Sequence, residues 1–181
     1  MIFDLKQLIK KYNINIKNII HVGGHHGHEV KLYNVSSFLY LNCHNVALGS
    51  KETTMELFVE TANQGQSNSL LKPKFHVNQY PHIRFHNEIK VPVKTLDSFL
   101  LDNSYNFISI DVQGFELEVL KGSTDTLKNV EYIIAEINNT QLYEGGCMVE
   151  ELDQFLTQFN LYRAETNWIG GTWGDGFYIK R

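Results

Sequence analysis

NFISIDVQGFELEVLKG, residues 106–122, is the stretch whose reading decides the fold. Its first seven residues are almost continuously apolar, the pattern of a strand buried on both faces, and such strands belong to parallel sheets flanked by helices. Gln113 and Gly114 then turn the chain. A helix is predicted from Phe115 to Lys121, stopped by Gly122, a residue favoured just past a helix C-terminus. Strand, turn and helix in that order put Asp111, Gln113, Gly114 and Glu116 beyond the carboxyl end of the strand, where ligands bind in sheets of this kind.

Working outward, the same grammar recurs. Upstream, Leu5, Leu8, Ile9 and Tyr12 share a helical face, so residues 4–12 read as an amphipathic helix closed by Asn13 and Asn15. Residues 16–22 form an apolar strand ending at Gly23 and Gly24, where the chain can turn without a Cβ clash. Residues 38–41 and 45–48 are two further strand-like stretches. Only Asn42, Cys43 and His44 separate them, whereas parallel neighbours need a crossover of about a dozen residues. Part of a second strand–helix unit is therefore expected to be absent. Residues 55–60 alternate as a strand, and 61–88 read as a long polar loop. Strands follow at 91–95 and 132–137, short helices at 96–101 and 149–159, and a closing pair at 161–165 and 177–180. The expectation is one α/β domain over residues 1–181, with a mainly parallel sheet and an antiparallel edge.

Bulk properties narrow the function. The chain has 181 residues, 43% hydrophobic and 20% charged, an ordinary balance for one globular core. A net charge of −4 supplies no basic surface for phosphate, so no nucleic-acid partner is expected. Cys43 and Cys147 have no CxxC spacing, which argues against a disulfide framework and against a thiolate zinc site. Lysines interrupt the apolar residues of the first twenty positions, leaving neither a signal peptide nor a membrane span. A cytoplasmic location fits these features.

Four groups of residues could carry chemistry. The first is HVGGHHGHE at 21–29, whose glycines admit a ligand close to the backbone, although such a turn can equally just pack strand on helix. The second is Asp111 to Glu116, where Asp111 either binds a ligand or caps the helix. Glu136 with Asn138, at another strand end, is the third. The fourth is the polar segment NQGQSNSLLKP at 63–73, which could line or cover a pocket. His21, His25, His26 and His28 cluster without the helical spacing typical of metal pairs, so no metal is expected.

Taken together, IIHVGGHHGHE, NVALGS, SNSLLKP, VKTLD, FISIDVQGFELEVLKG, EYIIAEIN and WGDGFYIK resemble the FkbM-type methyltransferases nearly end to end. VKTLD followed by IDVQGFELEVLKG is the specific part. The resemblance implies a Rossmann-like class I methyltransferase fold, S-adenosylmethionine as methyl donor, and a hydroxyl acceptor on a sugar, glycan or secondary metabolite. Carried over by position, Val22, Gly23, Gly24, His25 and Gly27 match the Gly-rich cofactor loop, with Asn45, Ala47, Asp111 and Gln113 also on the cofactor side. Ser67, Ser69, Gly114 and Glu116 would face the acceptor. Asp111 is the first candidate for positioning carboxylate or base, with Glu136 or His25 as the alternative base.

The chain departs from the family pattern at one point. Family members carry an acid, usually within an FEP-like triplet, that holds the cofactor ribose; here no Asp or Glu lies between Glu29 and Glu52. The triplet, the helix after it and part of the next strand are missing between Leu41 and Asn45. Losing two charge-assisted hydrogen bonds of about 1.5–3 kcal/mol each would weaken donor binding roughly a hundred-fold or more. Two other readings stay open: a non-catalytic remnant kept as a binding module, and a metal-dependent hydrolase using the histidines.

Overall fold

In the computed structural model, which describes residues 3–27, 30–33, 42–99 and 104–181, the buried strand around Ile108 lies inside a five-stranded sheet. In chain order the elements are α1 (Leu5–Tyr12), β1 (Ile19–Val22), α2 (Val30–Tyr33), β2 (Ala47–Leu48), β3 (Thr53–Glu60), α3 (His76–Gln79), β4 (Phe85–Lys94) and α4 (Leu96–Phe99). They continue with β5 (Phe107–Ile110), α5 (Glu116–Lys121), α6 (Thr124–Leu127), β6 (Tyr132–Asn138), α7 (Val149–Thr157), β7 (Leu161–Ile169) and β8 (Trp173–Lys180). The main sheet runs β1-β5-β6-β8-β7. β1, β5 and β6 are parallel; β8 returns antiparallel beside β6, and β7 closes the edge as its hairpin partner. The sheet is thus mixed, with a parallel half and an antiparallel half, in an α/β arrangement.

Side-chain alternation along β5 and β6 explains both layers. Ile108, Ile110, Ile133 and Ala135 point to one face, where Val119 and Leu120 of α5 and Leu152 and Leu156 of α7 cover them. Phe107 and Ile134 point to the other, against Leu5 and Leu8 of α1 and Phe177 of β8. Fully burying side chains such as Ile108 and Ile133 is worth about 1.5–3 kcal/mol each, which is why this strand pair anchors the fold. Asp4 caps α1 by accepting from the Lys6 and Gln7 amides, and Asn13 ends it in the left-handed conformation.

Several expectations change. The strand predicted at 16–22 begins only at Ile19, because Asn106 takes the preceding backbone groups: its Oδ1 accepts from Lys17 N–H and its amide donates to Asn15 C=O. The long loop predicted at 61–88 holds the short helix α3 and gives way to the strand β4 at Phe85. β4 pairs with β3 and, through Val93 and Lys94, with β2 in a separate three-stranded sheet ordered β2-β4-β3. The strand predicted at 91–95 is the end of β4; the mostly exposed first half of β4, from Phe85, lacks the apolar alternation that would have revealed it. Gly122 follows α5 as predicted, but with φ −85° rather than a left-handed turn. It is glycine for space: a Cβ there would lie 2.0 Å from the carbonyl oxygen of Gly49. The predicted strand at 38–41, His28, Glu29 and the end of the helix predicted at 96–101 lie outside the described residues. No helix among the described residues is long and apolar enough to cross a membrane.

Candidate active site

Because β1, β5 and β6 run parallel and in register, their carboxyl ends bring three separate stretches of sequence together. Val22 stands beside Ile110, and Ile110 beside Ala135, so the residues just past them converge. The turn after β1 and the end of β5 touch directly. Asp111 N–H donates to Val22 C=O, and a Cβ on Gly23, whose φ is +85°, would lie 1.7 Å from the Asp111 carbonyl oxygen. Only glycine permits that approach. Gly24 is different: a Cβ there would meet nothing nearer than 3.9 Å, so its outer side is open. Gly27, at φ +69°, closes the turn by donating its N–H to Gly24 C=O.

Past β5, the chain is held by its own side chains. Gln113 adopts φ +56° and Gly114 φ +93°, a pair of left-handed residues that throws the Gln113 side chain back over the strand tips. Its amide donates to Asp111 Oδ1 at 2.8 Å and to Glu136 Oε2 at 2.7 Å, while its Oε1 accepts from the Tyr143 hydroxyl at 3.0 Å. Glu116, on the first turn of α5, accepts the amides of Val112 and Gly114 through Oε1. The strained turn is thereby fixed by Glu116 beneath and Gln113 above.

The carboxyls of Asp111, Glu116 and Glu136 each offer an oxygen within 4.8 Å of the others. Glu116 and Glu136 are buried, while Asp111 is partly open. Burial pushes the Glu116 carboxyl up to about 7, with the Asp111 charge adding and the backbone N–H donors opposing. Burial also raises Glu136 well above the ordinary carboxyl range, reinforced by Asp111 and Glu116. A carboxyl that keeps its proton near neutrality can donate or receive one during a reaction, and this is the chemistry the cluster offers.

The polar segment at 63–73 is tied to the turn after β5 and to the glycine turn. Glu60, 1% exposed at the end of β3, accepts the amides of Asn63 and Ser67 and so folds the loop back. Ser69 Oγ donates to Gln113 C=O, and Ser67 C=O accepts from Tyr143 Oη. His25, at φ +42°, reaches Gln64 C=O with Nε2 at 2.7 Å, tying the same loop to the glycine turn. Thus His25, Ser67 and Ser69 gather with Asp111, Gln113, Gly114, Glu116 and Glu136. Asn45 and Ala47 do not: Asn45 is exposed ahead of β2, and Ala47 belongs to the three-stranded sheet. Glu60 and Tyr143 escaped sequence reasoning, since each acts through partners that only the folded chain supplies.

The outer side of the turn at 23–27 is open beside Asp111, the room that a cofactor such as S-adenosylmethionine would need there. The ribose end lacks the family's acid. The crevice on the other side, between Gly114, Asn138 and Tyr143, has no room even for a water molecule, so it is no place for a donor.

Comparison with known proteins agrees with this layout. The chain is 33% identical over 98 residues to the 2-O-methyltransferase NoeI of Sinorhizobium fredii, covering 52% of this chain and 40% of that protein. It is 52% identical over 33 residues to the hexuronic acid methyltransferase AglP of Haloferax volcanii, covering 18% of this chain and 14% of that protein. The aligned part therefore spans less than half the length of either relative. No solved structure matches. The methyltransferase FkbM domain matches residues 10–164, and by that match, which takes in both the glycine turn and the carboxyl cluster, the chain belongs to the FkbM methyltransferase family.

Proposed function

We propose that this chain is an S-adenosylmethionine-dependent O-methyltransferase acting on a hydroxyl of a sugar, glycan or secondary metabolite, built as one Rossmann-like class I methyltransferase domain over residues 1–181. The observation that carries the reading is the contact between the glycine turn and Asp111 across neighbouring strand tips. The names of the two relatives, a 2-O-methyltransferase and a hexuronic acid methyltransferase, support a sugar acceptor. Both cysteines are free thiols, in keeping with a reducing, cytoplasmic setting.

When bound, S-adenosylmethionine supplies an electrophilic methyl group. The chain's own residues have two tasks, alignment and removal of the acceptor's proton. Val22, Gly23, Gly24 and Gly27 would receive the donor at the open side of the turn, with Gln113 beside it. Asp111, the most accessible of the three acids, holds the acceptor hydroxyl and takes its proton. Glu136, bridged to Asp111 through the Gln113 amide, is the neighbouring proton store. The loop carrying Ser67 and Ser69 keeps water off the strand tips.

The test is labelled methyl transfer to hydroxyl-bearing glycans, hexuronic acids among them. Asp111→Asn should lower turnover by about 100-fold or more, the usual size of a lost general base, while donor affinity is unchanged. Equal turnover in the two proteins removes Asp111 from the chemistry. One specific observation favours the second reading, a remnant that binds but does not transfer: no acid stands between Glu29 and Glu52 to hold the ribose. Donor binding without transfer to any acceptor would support it.

A further inference from the structure

Three carboxyls converge at the tips of β5 and β6, and none is matched by a cation from the protein. Among the described residues, the ion pairs join Lys11, Lys17, Lys121, Lys128 and Arg163 to acids elsewhere. Among the described residues, the side chains of other types that donate to Asp111 and Glu136 are the amides of Gln113 and Asn138, which carry no charge. Neutral donors would offset little of the repulsion among the three carboxyls were all of them ionised.

Two buried oxygens, one in the cluster and one on a residue that touches it, have no donor. Glu116 is 1% exposed; its Oε1 is occupied by two backbone amides, and its Oε2 is buried with no donor at all. Asn138, outside the acid cluster, is 3% exposed, and its Oδ1 is likewise buried without a donor. The head of Asn138 lies on the cluster, since its amide nitrogen reaches Glu136 Oε1 at 3.3 Å. Glu136 and Asn138 are two apart on β6 and so share one face. A buried carboxylate oxygen left without a donor inside a cluster of three acids, with a second buried unpaired oxygen on a residue that touches the cluster, is what a missing positive ligand leaves behind.

We infer that Asp111, Glu116, Glu136 and Asn138 form a binding site for one hard divalent cation. All the ligands are oxygens, which selects hard ions over zinc or copper. The three ligating oxygens lie within 4.8 Å of one another, a spread that one ion with oxygen ligands at about 2.3–2.6 Å can span. Asp111, the accessible member, leaves the remaining coordination positions to water or to an incoming ligand's oxygens. The inference does not depend on methyl transfer, and it holds whether or not the chain binds S-adenosylmethionine.

The test is calorimetric titration of CaCl₂ into the full chain after chelator treatment, with Mn²⁺ paramagnetic resonance as a count of bound ions. One ion per chain is expected. Glu136→Gln should weaken Ca²⁺ binding at least tenfold. Asn138→Asp, which adds a fourth carboxylate, should tighten it, a gain that a merely destabilised variant cannot imitate. No binding up to about 10 mM, weaker than extracellular-type calcium sites, or affinity unchanged in both variants, overturns the site.

Discussion

The two strand ends that meet at the site are held in opposite ways. The turn after β5 is locked by its own sequence: Glu116 takes two of its amides, Gln113 bridges two acids, and Tyr143 and Ser69 tie it to the rest of the chain. The turn after β1 leans on its neighbours. Its strand is only half-buried, and the turn is fixed by one Gly27 to Gly24 bond, the His25 contact to Gln64, and contact with Asp111. The difference teaches where the chain's rigidity lies. The carboxyl side is preorganised by the protein itself, whereas the donor side depends on what packs against it.

The largest effect should come from joining the two halves too tightly. Gly23→Ala forces a Cβ into the Asp111 carbonyl and strains a positive φ, so urea denaturation should report a loss of about 3 kcal/mol or more. A loss below about 1 kcal/mol would mean that the turns are not in contact.

Next in size is a pH effect confined to the β5 side. Glu116 holds its proton up to about 7 when folded, against an ordinary value of 4.5, so the folded chain binds more protons than the unfolded one between those limits. Stability contributed by the protonated carboxyl is therefore complete below pH 4.5 and lost as pH rises through 7. In chelator-treated buffer this should amount to on the order of 2–3 kcal/mol. Glu116→Gln, which cannot titrate, should show a flatter profile across the same window. Identical profiles would place the titration elsewhere.

Tyr143→Phe should have the smallest effect. It removes the donor to Gln113 Oε1 and to Ser67 C=O while keeping the ring, costing about 1–2 kcal/mol and loosening the loop more than the strands. Hydrogen exchange should speed up at 63–69 and stay unchanged in β5. Uniform acceleration would show that the loop and the turn open together.

How much of this was legible follows from the same contrast. The β5 unit could be read because its buried run, its turn residues and Glu116 lie within a dozen positions, and each answers to local physics. Of β4 only the end at 91–94 was legible; its first half, mostly exposed, has no apolar period to betray it and was read as loop. Glu60 and Tyr143 were hidden for another reason. Tyr143 acts on Ser67, 76 residues away, and Glu60 matters only once its loop folds back on it. Glu136 could be suspected from its place at a strand end, but its meeting with Asp111 required the β5–β6 register.

The account stands most directly on donor binding at the turn beside Asp111, and calorimetric titration of S-adenosylmethionine and its demethylated product into the wild-type chain measures it. The account predicts binding in the micromolar range, abolished by Gly23→Ala and retained in Asp111→Asn. No heat of binding up to millimolar ligand, with the chain folded, would contradict it.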